Sequence, residues 1–523
     1  MSDVFDVFYV DNNQYPEKIK KTIESVKDKV DEFVQKYLED EYVKQIPFYK
    51  EGKVIHDALW GTQYIKPHEL VILDTPLLQR LRQIKQTGFT YLIYPSSLHT
   101  RFEHTLGVLS QASKMIEALK REPKYQEMIQ PYEDTIRLAA LLHDVGHGPF
   151  SHTSEEFYRY CDDFKILLYH PESPFSGWTP HELLSCLIIT SKTFRNFFDT
   201  RIRDDYNQTS IDVDLIAKII VGQIGDPLKL FVQSIINGPF DADKLDYIFR
   251  DGHFSGLPLK VDLDRLWYSL QINDIDLSVI NSKGKIKTLT VPANSIGPLQ
   301  QILFAKMVLF SSVYHHHKVR ALDCMFKSFC IFARGEELNF NNKCSFSRAT
   351  DFLWLTDYNF FNYADVEPRA HKILHNMLYR RLLKRALVIS KSTTSGYSVI
   401  KKYAVNERDR DPYLRNLAEK IWIEAGKPCD KEDIWVDLPS PPPRGIADRT
   451  FIKKSENEFV PLSKIFKVDD WAENYIEHLW RGHVFGPPDD EIRKKISKAA
   501  KKVFQEEFDV KFNNFTDIIC KLN

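Results

Sequence analysis

The segment Leu141-Leu142-His143-Asp144-Val145-Gly146-His147-Gly148-Pro149-Phe150-Ser151-His152 constrains this chain more than any other stretch. The apolar run from Asp134 to His143 reads as a helix, and the glycines and proline that follow the His-Asp doublet stop it. A lone buried histidine is usually a hydrogen-bonded core residue, but a core helix has no packing need for three histidines within ten residues. An imidazole nitrogen beside a carboxylate oxygen is a mixed donor set for one divalent cation, suiting Mn, Fe, Ni, Zn or Mg.

The surrounding sequence is mostly helical in pattern. Ile19, Ile23, Val26, Val30, Phe33 and Tyr37 are spaced for a helix with a narrow apolar stripe. Three heptads favour a lone helix lying on the body of the protein over a coiled-coil seam. LDTPLLQRLRQIKQTG predicts a helix capped by Thr75, with Pro76 at its first position and Gly88 just past its end. Arg101 to Leu119 predicts another. Alternation on both sides of Ser282-Lys283-Gly284 predicts a β-hairpin, and helix returns from about Leu299. LPSPPPRG, with Pro439, Pro441, Pro442 and Pro443, reads as an extended connection. Beyond it, Glu491 to Phe504 reads as a basic amphipathic helix packed down on its apolar side. The expected class is mainly α: a helical catalytic core, a small β-hairpin element and a helical C-terminal region. The expected divisions are 1–48, 49–335, 336–438 and 439–523.

Composition narrows the function. Of 523 residues, 43% are hydrophobic, yet no run approaches the roughly 20 apolar residues of a membrane helix. The N-terminus shows no secretory signal, so a cytoplasmic setting with seven reduced cysteines is expected. A net charge of −1 removes any whole-molecule attraction to nucleic acid or anionic membrane. No P-loop, dinucleotide fingerprint or H-E-x-x-H occurs.

Two further segments join the His-Asp doublet: Arg101-Phe102-Glu103-His104-Thr105-Leu106-Gly107 upstream and Asp241-Ala242-Asp243-Lys244-Leu245-Asp246-Tyr247-Ile248-Phe249-Arg250-Asp251 downstream. In this order the three blocks resemble the HD-domain superfamily, and within it the deoxynucleoside-triphosphate triphosphohydrolases, including those that join an HD domain to a sterile alpha motif. The resemblance runs from about Lys53 to Lys318, about half the chain, and no sterile alpha motif is apparent.

The resemblance implies one divalent metal on His104, His143, Asp144 and Asp243, with positions left for a phosphate oxygen and water. It implies proton-relay and phosphate-binding roles for His147, His152 and His181, with Glu155 where the family has an Asp. Arg101 and Lys244 would hold phosphates. Tyr247 and Asp251, with Gln86, would form the sugar wall, while Asp246 and Arg250 read as a surface salt-bridge network. In Tyr314-His315-His316-His317 one extra residue relative to the family leaves Tyr314 and His315 as alternatives for the nucleotide pocket.

The implied reaction is hydrolysis of deoxynucleoside triphosphates to deoxynucleoside and triphosphate. Alternatives are an HD phosphohydrolase for a monophosphate or an alarmone, or a nucleotide-sensing or single-stranded nucleic-acid-binding protein, which would need a continuous basic groove with stacking aromatics. Lys53, Val54, Asp74, Gln79 and Arg82 resemble segments that bind an activating nucleotide between subunits, so a dimer or tetramer with a nucleotide effector is expected.

Overall fold

The computed structural model describes residues 15–522 apart from 281, 335–344, 362–366, 406, 441–445 and 468–476. The expected extended run at Pro441, Pro442 and Pro443 lies outside the described residues, as does the start of the N-terminal segment.

Helix α1 (Glu17–Leu38) buries Ile19, Ile23, Val26, Val30, Phe33, Val34 and Leu38. It packs on the helices Asp162–Tyr169, Pro180–Thr190 and Lys192–Phe198 of its own chain, which occupies the stripe and leaves no seam for a coiled coil. Phe33 is fully buried, and its truncation to Ala would cost about 3–5 kcal/mol. After the hairpin β1 (Lys53–Asp57) and β2 (Gly61–Ile65), the catalytic segments fall on α2 (Arg101–Leu119), α3 (Glu133–Leu142), α4 (His152–Tyr158), α5 (Pro180–Thr190) and α6 (Ala242–Ser255). Helices α3 and α6 both pack on α2, bringing the three sequence blocks into one core.

The helix expected from Thr75 to Gly88 is shorter than its pattern. One α turn, Pro76–Gln79, tightens into a 3-10 turn, Arg80–Gln83, and the chain then extends so that Lys85 bridges Thr100. Gly88 serves a later turn at φ 54°.

The expected hairpin is present as β3 (Gln271–Asp276) against β4 (Lys285–Pro292), with Gln271 opposite Thr290. Its connection is longer than three residues because Leu277–Ile280 forms a 3-10 turn before Gly284. The other edge of β4 takes β7 (Phe451–Lys453) in parallel, and β8 (Phe459–Pro461) follows.

Helix α7 (Gly297–Leu309) runs into a π-helical turn, Phe310–Tyr314, and α8 (His317–Ala333) follows. A second sheet orders β5 (Lys384–Ile389), β9 (Gly482–Gly486) and β6 (Trp435–Asp437). Helix α9 (Asp490–Phe508) lays Ile496, Ala500, Val503 and Phe504 into the core beside β5, matching the packed-down reading of its sequence. No helix among the described residues is long and apolar enough to cross a membrane.

Candidate metal and phosphohydrolase site

The side chains of the first cluster sit at or near helix ends that the local sequence fixes. Glu103 accepts the Thr100 backbone N–H at 2.5 Å, a capping box that starts α2 at Arg101 and leaves His104 on the first turn. Asp241 caps α6 by accepting from the Lys244 backbone at 2.8 Å, which places Asp243, Asp246 and Tyr247 at the front of that helix. Helix α3 ends at Leu142, so His143 and Asp144 stand just beyond it.

These ends converge on one cluster. His104 Nδ1 donates to Asp246 at 2.7 Å, and His143 Nδ1 donates to the Ala140 carbonyl at 2.8 Å. Each ring therefore presents its Nε2 lone pair, and the two nitrogens face each other at 3.4 Å. Asp243 Oδ1 is 3.0 Å from His104 Nε2, and the Asp144 oxygens lie 3.6 Å from His104 Nε2 and 3.3 Å from His143 Nε2. Two imidazole nitrogens converging with carboxylate oxygens are a donor set that fits a divalent cation. Burial opposes charge on His104, yet Asp243 and Asp246 lift its pKa to about 10, so the carboxylates favour positive charge here, which a proton supplies without a metal and a bound cation would supply in its place. Ring and carboxylate atoms of His104, His143 and Asp144 lie close enough together to hold an ion, and so do those of His147, His152, Glu155 and His181.

The second group is organised by Glu155. Its Oε1 lies 3.0 Å from His147 Nδ1 and 2.9 Å from His181 Nδ1, at angles outside hydrogen-bond geometry, and Oε2 is 3.1 Å from His152 Nδ1. The His147 and His181 rings stack at 4.2 Å. Burial, reinforced by Arg101 and His181, lowers the His147 pKa to about 4. Burial opposes the charged form of His181 too, but Glu155 outweighs it and raises that pKa to about 9. Burial thus disfavours charge on His147, while Glu155 favours it on the stacked His181. The longer Glu in place of the family's Asp spans all three rings.

Arg101 is buried. It donates from Nη1 to Asp144 at 2.8 Å and from Nε to Ser151 at 2.9 Å, and Ser151 donates to the Lys85 carbonyl at 2.6 Å. Phe150 and Ser151 are held at φ 57° and 55°, a left-handed conformation that costs a non-glycine residue about 1–3 kcal/mol. The strain is offset in part by Asp357, which accepts the Phe150 N–H at 2.6 Å.

A cavity of about 440 Å³ opens beside these groups. Gln86, Arg101, Asp144, His152, His181 and Asp243 border it, and so do Tyr247, Asp251, Tyr314 and His315. His104, His143, His147 and Glu155 do not border it directly. Asp251 accepts from His99 Nε2 at 2.7 Å and from the Tyr314 hydroxyl. The π-helical turn is where an extra residue can be absorbed, and Tyr314 and His315 share the wall instead of competing for it. Lys244 turns aside, its ammonium on Asp241 at 2.5 Å and the Gly238 carbonyl at 3.1 Å.

The sequence reading of Asp246 and Arg250 as a surface network is corrected. Both are buried, and Arg250 donates to Asp246 at 2.8 Å and to Asp57 at 2.9 Å, with Trp60 Nε1 also on Asp246. A Cβ on Gly107 would fall 1.9 Å from Asp246 Oδ1, so only glycine lets α2 approach this carboxylate. Asp246 could have been found from its place three residues after Asp243, on the same helix face. Lys306 was also missed, for nothing in its helical surroundings marks it. It is buried on α7, where burial and then the charge of Lys244 press its pKa down to about 8. His315 and His316 precede α8, His316 capping it, and His317 is its first residue.

The candidate effector residues form a separate surface. Lys53 lies over the Tyr49 ring, and Tyr49 donates to Asp74. Gln79 donates to the Leu73 carbonyl at 2.9 Å and accepts from Arg82 at 2.7 Å, while Val54 is exposed.

Comparison with known proteins agrees with this arrangement. The family model described as HD domain matches residues 101–197, and that described as HD associated region matches 261–513. An uncharacterized protein of Methanocaldococcus jannaschii is 28% identical over 469 residues, 88% of this chain and 85% of that protein. A protein of Dictyostelium discoideum named deoxynucleoside triphosphate triphosphohydrolase SAMHD1 homolog is 27% identical over 64% of this chain and 60% of its own length. The human deoxynucleoside triphosphate triphosphohydrolase SAMHD1 is 28% identical over 52% of this chain and 43% of its own. With a His-Asp cluster able to hold a metal and both family models along its length, the chain belongs to the HD-domain superfamily of phosphohydrolases.

Proposed function

We propose that the protein hydrolyses deoxynucleoside triphosphates to deoxynucleoside and intact triphosphate. The observation that carries this reading is that one cavity of about 440 Å³ joins Asp144 and Asp243 to the Asp251–Tyr314 pair. The first can hold a metal; the second offers a fixed acceptor to a sugar hydroxyl. Two relatives bearing the triphosphohydrolase name add support.

In this reading His104, His143, Asp144 and Asp243 hold one divalent metal ion, which when bound would polarise a phosphate oxygen and acidify water. Arg101 keeps Asp144 ionised and faces the phosphates. Water bonds to the α-phosphorus, the bond from phosphorus to the 5′-oxygen breaks, and the released alkoxide takes up a proton. His147, stacked on His181, belongs to the relay that moves these protons, with Glu155 and His152 orienting it. Tyr247 walls the sugar, Asp251 accepts its 3′-hydroxyl, Gln86 assists, and Tyr314 and His315 close that side.

Lys244 on Asp241, away from the cavity, favours a shorter phosphate chain and keeps the monophosphate alternative open. Incubation with each deoxynucleoside triphosphate and Mn or Mg, followed by chromatography, tests the reading. Deoxynucleoside with triphosphate supports it; orthophosphate with a shortened nucleotide overturns it. Cytoplasmic location, a homo-oligomer and an effector nucleotide at Lys53, Val54, Asp74, Gln79 and Arg82 belong to the same proposal.

A further inference from the structure

One stretch of the cavity wall has no role in the proposed reaction. Glu156 lies one helical turn past His152 on α4, and Arg320 and Asp323 lie on the first two turns of α8; all three border the cavity. Phosphate and metal groups occupy the starts of α2 and α6 and the end of α3, and the sugar wall lies further along α6. The apolar neighbours Phe310 and Val319 border the cavity beside this stretch.

Hydrogen-bond accounting shows what the wall can offer. Arg320 is fully engaged: Nη1 donates to Glu156 at 2.6 Å and Asp323 at 3.2 Å, Nη2 to Asp437 at 2.7 Å and Glu156 at 3.3 Å, and Nε to Asp437 at 3.1 Å. Lys327 donates to Glu156 Oε2 at 2.9 Å, and Thr153 donates to Asp323 Oδ1 at 2.7 Å. The guanidinium therefore has no donor left for a ligand. The carboxylates do have capacity, since each oxygen has two lone pairs and Glu156 Oε1 and both Asp323 oxygens use one. Asp323 is buried, whereas a quarter of the Glu156 side chain is accessible beside the cavity it borders. Acceptors held in place by Arg320, Lys327 and Thr153 call for donors, because a carbonyl placed there would meet carboxylate oxygens that offer it only lone pairs.

We infer that Glu156 and Asp323, clamped by Arg320, read the substrate's base and favour an edge with adjacent N–H donors, so that guanine is preferred and thymine disfavoured. Guanine presents a ring N–H beside an amino group; adenine and cytosine present an amino group alone; thymine presents one N–H between two carbonyls. Arg320 is a positioning residue, anchored from the C-terminal half of the chain by Asp437 on β6. This inference rests on the proposed deoxynucleoside triphosphatase reading.

The test compares kcat/KM for dGTP and dTTP at pH 8, in the wild type and in Asp323→Asn and Glu156→Gln. Each variant turns an acceptor into a mixed donor and acceptor of the same size. The wild type should favour dGTP by about tenfold or more, and either variant should shrink that ratio about tenfold, chiefly by gaining on dTTP. If Asp323→Asn does not fold, Glu156→Gln and the wild-type order carry the test. Equal efficiencies in the wild type, or a ratio moved by neither variant, overturn the base-reading role while leaving the reaction standing. No turnover of any deoxynucleoside triphosphate overturns both.

Discussion

Replacing Asp246 by Asn probes the support of the metal cluster without touching a metal-facing atom. Asp246 accepts from His104 Nδ1 at 2.7 Å and from Arg250 at 2.8 and 3.0 Å, with Trp60 as a further donor. An Asn keeps the shape but turns one acceptor into a donor facing N–H groups, and it removes the charge that fixes the His104 tautomer. Outer partners of a metal-bound histidine contribute about 10–100-fold to metal affinity, or about 1.4–2.7 kcal/mol. Arg250 retains Asp57 at 2.9 Å, so the fold should survive Asn. Asp246→Ala, which leaves His104 and Arg250 short of a buried partner, should cost about 3–5 kcal/mol of stability. Affinity for Mn, measured by competition with a chelating dye, should fall about 10–100-fold in Asp246→Asn. Lost turnover should return when Mn is raised by the same factor. Wild-type Mn affinity in Asp246→Asn would refute the reasoning.

His143→Ala should bind no metal and hydrolyse nothing while its circular dichroism stays native; retained metal and turnover would remove His143 from the cluster. Tyr247→Ala, which opens the sugar wall, should erode the preference for deoxy over ribo substrates, whereas Asp251→Asn and Lys244→Ala, whose partners both substrates carry, should slow the two alike, read from paired kcat/KM values; equal erosion in all three would contradict the sugar-wall assignment. His181 is raised to about 9 by Glu155, so its stabilisation is complete below its ordinary pKa near 6.5 and is lost as pH rises through about 9. Its imidazole signals should titrate near 9 in the wild type and lower in Glu155→Gln, and no movement would separate the two groups. Light scattering should show a dimer or tetramer that Arg82→Ala weakens, and a monomer under every condition would defeat the assembly.

The three blocks picked out in the sequence do come together in one core, because α3 and α6 both pack on α2, and the helix stop after the His-Asp doublet could be read from its glycines. The roles given to His104, His143, Asp144 and Asp243 came from the family resemblance; the Thr100–Glu103 capping box and the Asp241 cap, which set where His104 and Asp243 stand, are local signals that the reading passed over. The helix expected from Thr75 to Gly88 failed because a bridge from Lys85 to Thr100 outweighs local propensity after Gln83. Asp246 and Arg250 looked like surface charges because their burial depends on Trp60 and Asp57, 186 and 193 residues away from them in the sequence. The pairing of β7 with β4, joining the C-terminal stretch to the catalytic half, is likewise a long-range contact that no local pattern announces.

Hydrolysis of dGTP in water enriched in oxygen-18 tests the central claim most directly, because it asks which phosphorus the water attacks. Attack at the α-phosphorus, beside Asp144, Asp243 and Arg101, places one label in the released triphosphate and none in deoxyguanosine. Label in orthophosphate or pyrophosphate, with a shorter nucleotide as the other product, would contradict the account.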